Sequence, residues 1–509
     1  MNKIYQKECE STLDYSLPDY LGDVKKILSV SASAVPSGKF ASEGEVNFSG
    51  VVSYDILYSD SEGKLTGLTV SSDYDLSVPT DSDSYVDGVA ESRIASLSVR
   101  LTGPRKLTAK AVVSNNVKIS YDESLECSGD AFSDGNTPEV ARCTVKGEKS
   151  YFATSSEREY AEEAEHLNGV TPDEIEIIAT SGAVRISESE ATDGGVRVRG
   201  ELIITSIVRT LEQPPFAIKK VIPFEETINF DGLMPDMEIM ADGYLTSVTS
   251  GVSEDAEGSV ITVNAISELY CMASQNVETS VITDAYLKNR NTSAKYEDYE
   301  YSAVVCMGNA EEQFSVSQGR GEIGCDNIRE VLTFSADIRS CEKNVTSNGF
   351  NLNGEAVFSG VACEINESNE PSYIPVKFTA PFSLNVNCNR QIPAGAKLEV
   401  SLTPIDCETL VDSERLTVNC FVKIGYRLTD VNVIRRITEC SAVGEEEYKP
   451  SLSKISVYYP EEDETLFEIA KKFHTTCAKL ATDNKLDEAV IAMTDAPVSK
   501  SDVKKLIIR

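Results

Sequence analysis

The chain has 509 residues, 82 acidic against 47 basic side chains and a net charge of −35, with 41% apolar and 25% charged residues. At roughly 100 to 200 residues per domain there is room for three to five domains, and the aliphatic content excludes a disordered chain. So large an acidic excess repels a polyanion, and no local basic patch interrupts it, which excludes nucleic acid as a partner.

The N-terminus, Met1 to Glu10, carries no apolar run behind its lysines, so no signal peptide is expected. Nowhere do about 18 apolar residues follow one another, so no membrane span is expected either. A soluble, intracellular protein is the expectation. There is no tryptophan, and the 13 cysteines form no C-x-x-C. Cys271, Cys306, Cys363 and Cys420 sit singly within apolar strand patterns and are read as reduced core thiols.

A repeat organises most of the chain. Val46-Asn-Phe-Ser-Gly50, Val196-Arg-Val-Arg-Gly200 and Phe350-Asn-Leu-Asn-Gly354 share an alternating run that ends in glycine. Ile27-Leu28, Ile177-Ile178 and Val331-Leu332 precede these glycines at one constant offset, and Tyr74, Phe224 and Phe382 follow them. A last anchor, apolar-Thr-apolar-polar-small, recurs at Leu107–Ala111, Ile261–Ala265 and Leu416–Cys420. Period-2 alternation dominates each unit, the mark of half-buried antiparallel strands. The fold class is therefore mainly β: three tandem antiparallel β-sandwich or open-barrel repeats plus a small C-terminal βααβ domain. The glycine inside each run marks a bulge or a close backbone approach.

The boundaries expected are 1–126 for the first repeat, 127–283 for a connector helix and the second, 284–445 for a connector and the third, and 452–509 for the tail. Residues 1–24, 127–172 and 284–327 read as polar connectors. Ser155-Ser-Glu-Arg-Glu-Tyr-Ala-Glu-Glu-Ala-Glu-His166 is predicted to be a capped helix with an acidic, solvated face.

From Lys454 the pattern changes to a strand at Ile455–Tyr459, a helix over Thr465–Phe473, a second helix over Cys477–Thr482 capped by Thr475, and a strand at Lys505–Arg509. Thr465-Leu466, Ile469-Ala470, Lys471-Lys472-Phe473, Leu480 and Asn484-x-Leu486 stand in the register of the LysM module, which this segment resembles. It departs from that pattern at Asp463-Glu464, where the module has Gly-Asp, at His474, where it has glycine, and in the long loop from Leu486 to Val503. LysM modules commonly bind N-acetylglucosamine polymers through their helix–strand loops.

Three β-repeats and a terminal LysM, with Leu17-Pro-Asp19 leading to Val24-Lys-Lys-Ile27-Leu and the phrase Gly103-Pro104-Arg105-Lys106-Leu-x-Ala, resemble the SPOCS-domain family, the SipL-like spore coat morphogenetic proteins of spore-forming Firmicutes. That resemblance implies a cytoplasmic protein of the mother cell at the forespore surface, whose LysM docks a coat-basement ATPase (SpoIVA-like) during coat assembly.

Chemistry is sparse in the sequence. The two histidines, His166 and His474, lie beside no nucleophile and in no H-E-x-x-H spacing. Gly319-Arg-Gly321-Glu-Ile-Gly324 satisfies G-x-G-x-x-G but leads into a strand, Ile328–Phe334, and so reads as a connector. No catalytic residue, metal ligand or cofactor is expected, and a non-enzymatic assembly protein is the leading reading. From Ser451 to Arg509 there are nine basic and ten acidic residues, so a nearly neutral module follows an acidic body. Tyr459, Phe467, Ile491 and Met493 are the expected partner-binding residues, and Thr465, Leu466, Ile469, Ala470, Phe473, Leu480, Asn484 and Leu486 form the structural motif. The competing reading is a peptidoglycan- or N-acetylglucosamine-binding protein, with Tyr459 and Phe467 stacking on sugar.

Overall fold

A computed structural model describes residues 2–42, 44–80, 85–121, 127–132, 137–254, 258–288, 290–365, 371–444, 455–461, 464–486 and 505–508. The first unit comprises β1 (Asn2–Ser16), β2 (Val24–Ser42), β3 (Glu45–Asp60), β4 (Leu65–Pro79), β5 (Tyr85–Gly103) and β6 (Lys106–Tyr121). The meander β2-β3-β4 makes one sheet, and β1 returns to pair with β6 in the other, ordered β1-β6-β5. Alternation along β3 turns Val52, Tyr54, Ile56 and Tyr58 inward, onto Leu107, Ala109, Ala111 and Val113 of β6. Two three-stranded antiparallel sheets thus close over one core, a sandwich.

The second unit contains β7 (Glu139–Thr154), β8 (Arg158–Asn168), β9 (Ile175–Thr192), β10 (Gly195–Thr210), β11 (Phe216–Asn229), β12 (Glu238–Glu254) and β13 (Gly258–Tyr286). The third contains β14 (Asn291–Gly319), β15 (Ile328–Val345), β16 (Gly349–Ile365), β17 (Pro371–Asn387), β18 (Lys397–Val411) and β19 (Arg415–Val443). Their sheets repeat the first plan: β9-β10-β11 faces β12-β13-β7, and β15-β16-β17 faces β14-β19-β18. The chain is mainly β, as its alternation indicates.

Two expectations fail. The stretches read as connectors hold β1, β7, β8 and β14, the strands that open each unit and pair with its last strand. They look polar because each is an edge strand with one solvated side. The acidic segment expected to be a helix is β8, antiparallel to β13. Its half-buried residues Tyr160, Ala164 and Leu167 have helix-like spacing because a bulge leaves Ala164 unpaired between Glu163 and Glu165 and inverts the alternation beyond it. β7 and β8 are two halves of one broken edge, joined where the Ser155 amide donates to the Leu269 carbonyl at 2.7 Å.

The repeated glycines have a common role. Gly50, Gly200 and Gly354 stand directly opposite Tyr74, Phe224 and Phe382 on the next strand. A Cβ on Gly50 would lie 2.3 Å from the Tyr74 ring, and one on Gly200 2.7 Å from the Phe224 ring. Each aromatic ring folds across the bare backbone of its partner.

The three units close on themselves. Bulges leave Leu28, Ile178 and Leu332 unpaired in β2, β9 and β15, and these three side chains join Leu57, Ile207 and Val361 in a single buried cluster. Leu57, Ile207 and Val361 each lie seven positions after the repeated glycine, so every unit contributes the same two residues to a pseudo-threefold axis. Contacts run from β4 to β9, from β11 to β15 and from β17 to β2, a head-to-tail arrangement that closes as a ring. The inner edges, β2 and β5, β9 and β12, β15 and β18, line an axial cavity of about 2660 Å³. Further links between units are polar: Lys64 pairs with Glu176 at 3.0 Å, and Arg427 of β19 reaches the buried Glu148 of β7, with 3.0 Å between Nε and Oε1.

The phrases Leu17-Pro-Asp19 and Pro104-Arg105 meet at one corner of the first unit. The Leu17 amide donates to the Arg105 carbonyl at 2.8 Å, Val24 N to Pro104 O at 2.9 Å, and the Arg105 guanidinium to Pro18 O at 2.6 Å. In the third unit Arg320 ties the glycine-rich turn in the same manner, donating to Asp412 O and Ile328 O at 2.8 Å. The turn read as a connector is therefore a pinned corner.

Candidate docking surface

The tail folds as β20 (Ser456–Tyr458), α1 (Leu466–Lys472), α2 (Cys477–Asn484) and β21 (Leu506–Ile508), with β20 antiparallel to β21. Thr465 starts α1 in a capping box: its hydroxyl accepts from Glu468 N at 3.1 Å while Glu468 Oε2 accepts from Thr465 N at 2.8 Å. Thr476, not Thr475, caps α2 by accepting from Lys479 N at 3.1 Å. Thr475 is nearly buried, and its carbonyl is engaged elsewhere.

Leu466, Ile469, Ala470 and Leu480 pack against Leu506 and Ile508, with Phe473 and Leu486 at the margin of that cluster. Asn484 substitutes for a strand neighbour. Its side-chain amide donates to Ile507 O at 2.9 Å and accepts from Ile507 N at 2.5 Å, pinning β21 to the end of α2. His474 adopts φ +53°, the left-handed region that favours glycine after a helix. Phe473 meets Tyr458 edge to face at 5.1 Å.

The turn before α1 is closed by a carboxylate. Tyr458 Oη donates to Glu464 at 2.7 Å and accepts from Lys472 at 2.8 Å, and the Glu461 amide donates to Glu464 at 3.2 Å. Desolvation pushes the Glu464 carboxyl up, but the hydrogen bonds from Tyr458 and Glu461 together with the Lys472 charge outweigh it and hold the group below the usual glutamate value.

One side of this module is committed to the chain itself. Phe467 is 4% exposed and meets Tyr286 of β13 edge to face at 5.1 Å, Tyr286 Oη donates to the Thr475 carbonyl at 2.7 Å, and Lys471 pairs with Asp284. Ala141 of β7 joins the same apolar cluster. Phe467, expected to meet a partner, is an internal anchor: it lies off the module's own stripe because that side faces the second repeat. Tyr286 and Asp284 were not legible as its counterparts, since nothing local to them refers to a segment about 180 residues downstream.

The side left open lies along β20 and the residue that flanks it at each end. Ile455, Val457 and Tyr459 alternate along the strand and are 69%, 53% and 68% exposed. Tyr459 is thus available to a partner, together with two aliphatic neighbours that the same alternation marks in the sequence. Ile491 and Met493 lie outside the described residues. Among the described residues no three His, Cys, Asp or Glu side chains converge in a metal-binding arrangement, and no helix is long and apolar enough to cross a membrane.

Fold and surface define a class: an acidic, pseudo-threefold β-ring that carries one nearly neutral βααβ module. A family model described as SipL, SPOCS domain, matches residues 175–253, the run from β9 to β12 in the second unit. The matched segment is similar to that domain, a likeness that points to a sporulation-related protein. No curated protein and no solved structure matches the chain.

Proposed function

We propose that the chain is a non-enzymatic scaffold of spore coat assembly, in which the LysM-like module docks a SpoIVA-like coat-basement ATPase through the β20 face. The observation that carries this reading is the division of the module into two sides. One is spent on Tyr286 and Asp284, and the other exposes Ile455, Val457 and Tyr459 in a row. Exposed apolar side chains grouped on one face are characteristic of protein contact. The strongly acidic ring keeps copies of the scaffold apart, while the module, at net −1, approaches a partner without long-range repulsion.

The test is titration of the full chain with the coat ATPase, comparing wild type with the triple variant Ile455→Ser, Val457→Ser, Tyr459→Ser. Wild type is expected to bind at micromolar concentration and the variant at least about tenfold more weakly, about 1.4 kcal/mol. No association of wild type at that concentration overturns the reading. A second reading, glycan binding, draws on the exposed Tyr459 ring, which suits stacking on a sugar. Co-sedimentation of the chain with insoluble peptidoglycan, lost in Tyr459→Ala, would favour it.

A further inference from the structure

The third unit holds eight of the 13 cysteines, and two of them form a pair that the scaffold reading does not use. Cys407 of β18 and Cys420 of β19 are direct cross-strand partners, so their side chains leave the same face of the sheet. Residues directly opposite in antiparallel strands have Cα atoms about 4.5 to 5.5 Å apart, inside the range of about 4.4 to 6.8 Å that a disulfide spans. The register of the two strands therefore places the pair within the backbone span of a disulfide. Access is graded. Cys420 is fully buried in the core of the unit, whereas Cys407 is half-buried and lines the axial cavity of about 2660 Å³.

We propose that Cys407 and Cys420 are a modification site, a dithiol that closes to a cross-strand disulfide when the folded chain meets a low-molecular-weight disulfide such as glutathione disulfide. The Cys407 thiol loses its proton to solvent and its sulfur attacks one glutathione sulfur. The S–S bond of the oxidant breaks, and the first glutathione leaves as a thiolate. The Cys420 thiol then gives up its proton, attacks the Cys407 sulfur of the mixed disulfide and displaces the second glutathione. Two protein thiols are oxidised by two electrons, and one glutathione disulfide is reduced to two glutathiones. The neighbouring thiol and burial push the Cys407 thiol above its ordinary value, so thiolate is scarce at neutral pH and closure accelerates as pH rises. The bond ties the cavity-lining edge strand β18 to the central strand β19.

The test is a peptide map of the native, full-length protein after incubation with glutathione disulfide at mildly alkaline pH, acid quench and alkylation of remaining thiols. Trypsin cuts after Arg415, between the two cysteines, so the disulfide appears as residues 398–415 linked to residues 416–423. The linked species is expected in wild type and absent in Cys407→Ser, and its rate of formation is expected to rise between pH 7 and pH 9. Cys143, exposed on β7, reports that the oxidant is active by acquiring a glutathione adduct. Recovery of both peptides as alkylated thiols while Cys143 carries glutathione overturns the proposal, and so does Cys407 linked to any other cysteine. Because the wild-type map alone decides between these outcomes, the proposal does not depend on the serine variant folding.

Discussion

Adding a methyl group at each of the three repeated glycines separates two kinds of obstacle. At Gly50 the three atoms nearest to a new Cβ all belong to Tyr74, the closest at 2.3 Å. That ring is held by a 2.8 Å hydrogen bond from its hydroxyl to Ser92. At Gly354 the nearest atom is the Ser340 carbonyl oxygen at 1.9 Å, and at Gly200 the Arg185 carbonyl oxygen at 2.1 Å. A ring yields by turning, at the cost of about one hydrogen bond, roughly 1 kcal/mol, plus repacking; Gly50→Ala should cost about 1 to 3 kcal/mol in all. A carbonyl in a neighbouring strand moves only if the strand moves, so Gly200→Ala and Gly354→Ala should exceed that range. Urea denaturation followed by tyrosine fluorescence, in a chain without tryptophan, measures all three. Double-mutant cycles sharpen the comparison. In a Tyr74→Ala background Gly50→Ala should become nearly neutral, whereas in a Phe382→Ala background Gly354→Ala should stay costly. Equal relief in both backgrounds would refute the distinction between ring and backbone.

Leu332→Ala removes a fully buried contact to all three units, and about 2 to 5 kcal/mol should be lost; calorimetry should show one shifted transition, and a split transition would mean that the ring does not unfold as one body. Tyr286→Phe deletes the donor to the Thr475 carbonyl and should loosen the module by about 1 to 3 kcal/mol, read as faster amide exchange in α1 and α2 with little change in β10. Glu464 is held below its ordinary value when folded, so the stability it confers is present above about pH 4.3 and is lost as pH falls through the depressed folded value. Glu464→Gln should flatten that acid dependence of module exchange, and an unchanged profile would show that the turn contributes nothing.

What the sequence made legible depended on the range of the interaction. The aromatic partner of each glycine was visible because a hairpin fixes the offset between adjacent strands, so Gly50 and Tyr74 or Gly200 and Phe224 keep their spacing. Leu28, Ile178 and Leu332 were visible as repeated anchors, but their convergence was not, because it arises from a bulge and from ring closure, neither of which alters local periodicity. β8 was misread for a related reason: one unpaired residue, Ala164, turned a strand's alternation into helical spacing. In the tail, Thr465 and Asn484 were legible as positions of the module's register, whereas their roles as a cap and a strand clamp came only with the hydrogen bonds they make. Phe467 carries a role that depends on Tyr286, and its helix position indicated only that it lay off the module's own stripe.

The ring is threefold but its attachments are not, and that asymmetry bears on how a scaffold of this shape works. β6 has 16 residues, whereas β13 and β19 have 29 each. The extra lengths of β13 and β19 pack on one another through Ala285, Ile437 and Cys440, with Leu287 just beyond β13 in the same cluster. The βααβ module sits on the end of β13, at Asp284 and Tyr286. Three equivalent sandwiches therefore present a single module, which makes one partner per chain the expected stoichiometry. Binding measured by light scattering of the full-length chain should saturate at equal molar ratio. Saturation at three partners per chain would place the contact on the repeats instead, and would remove the β20 face from the account of docking.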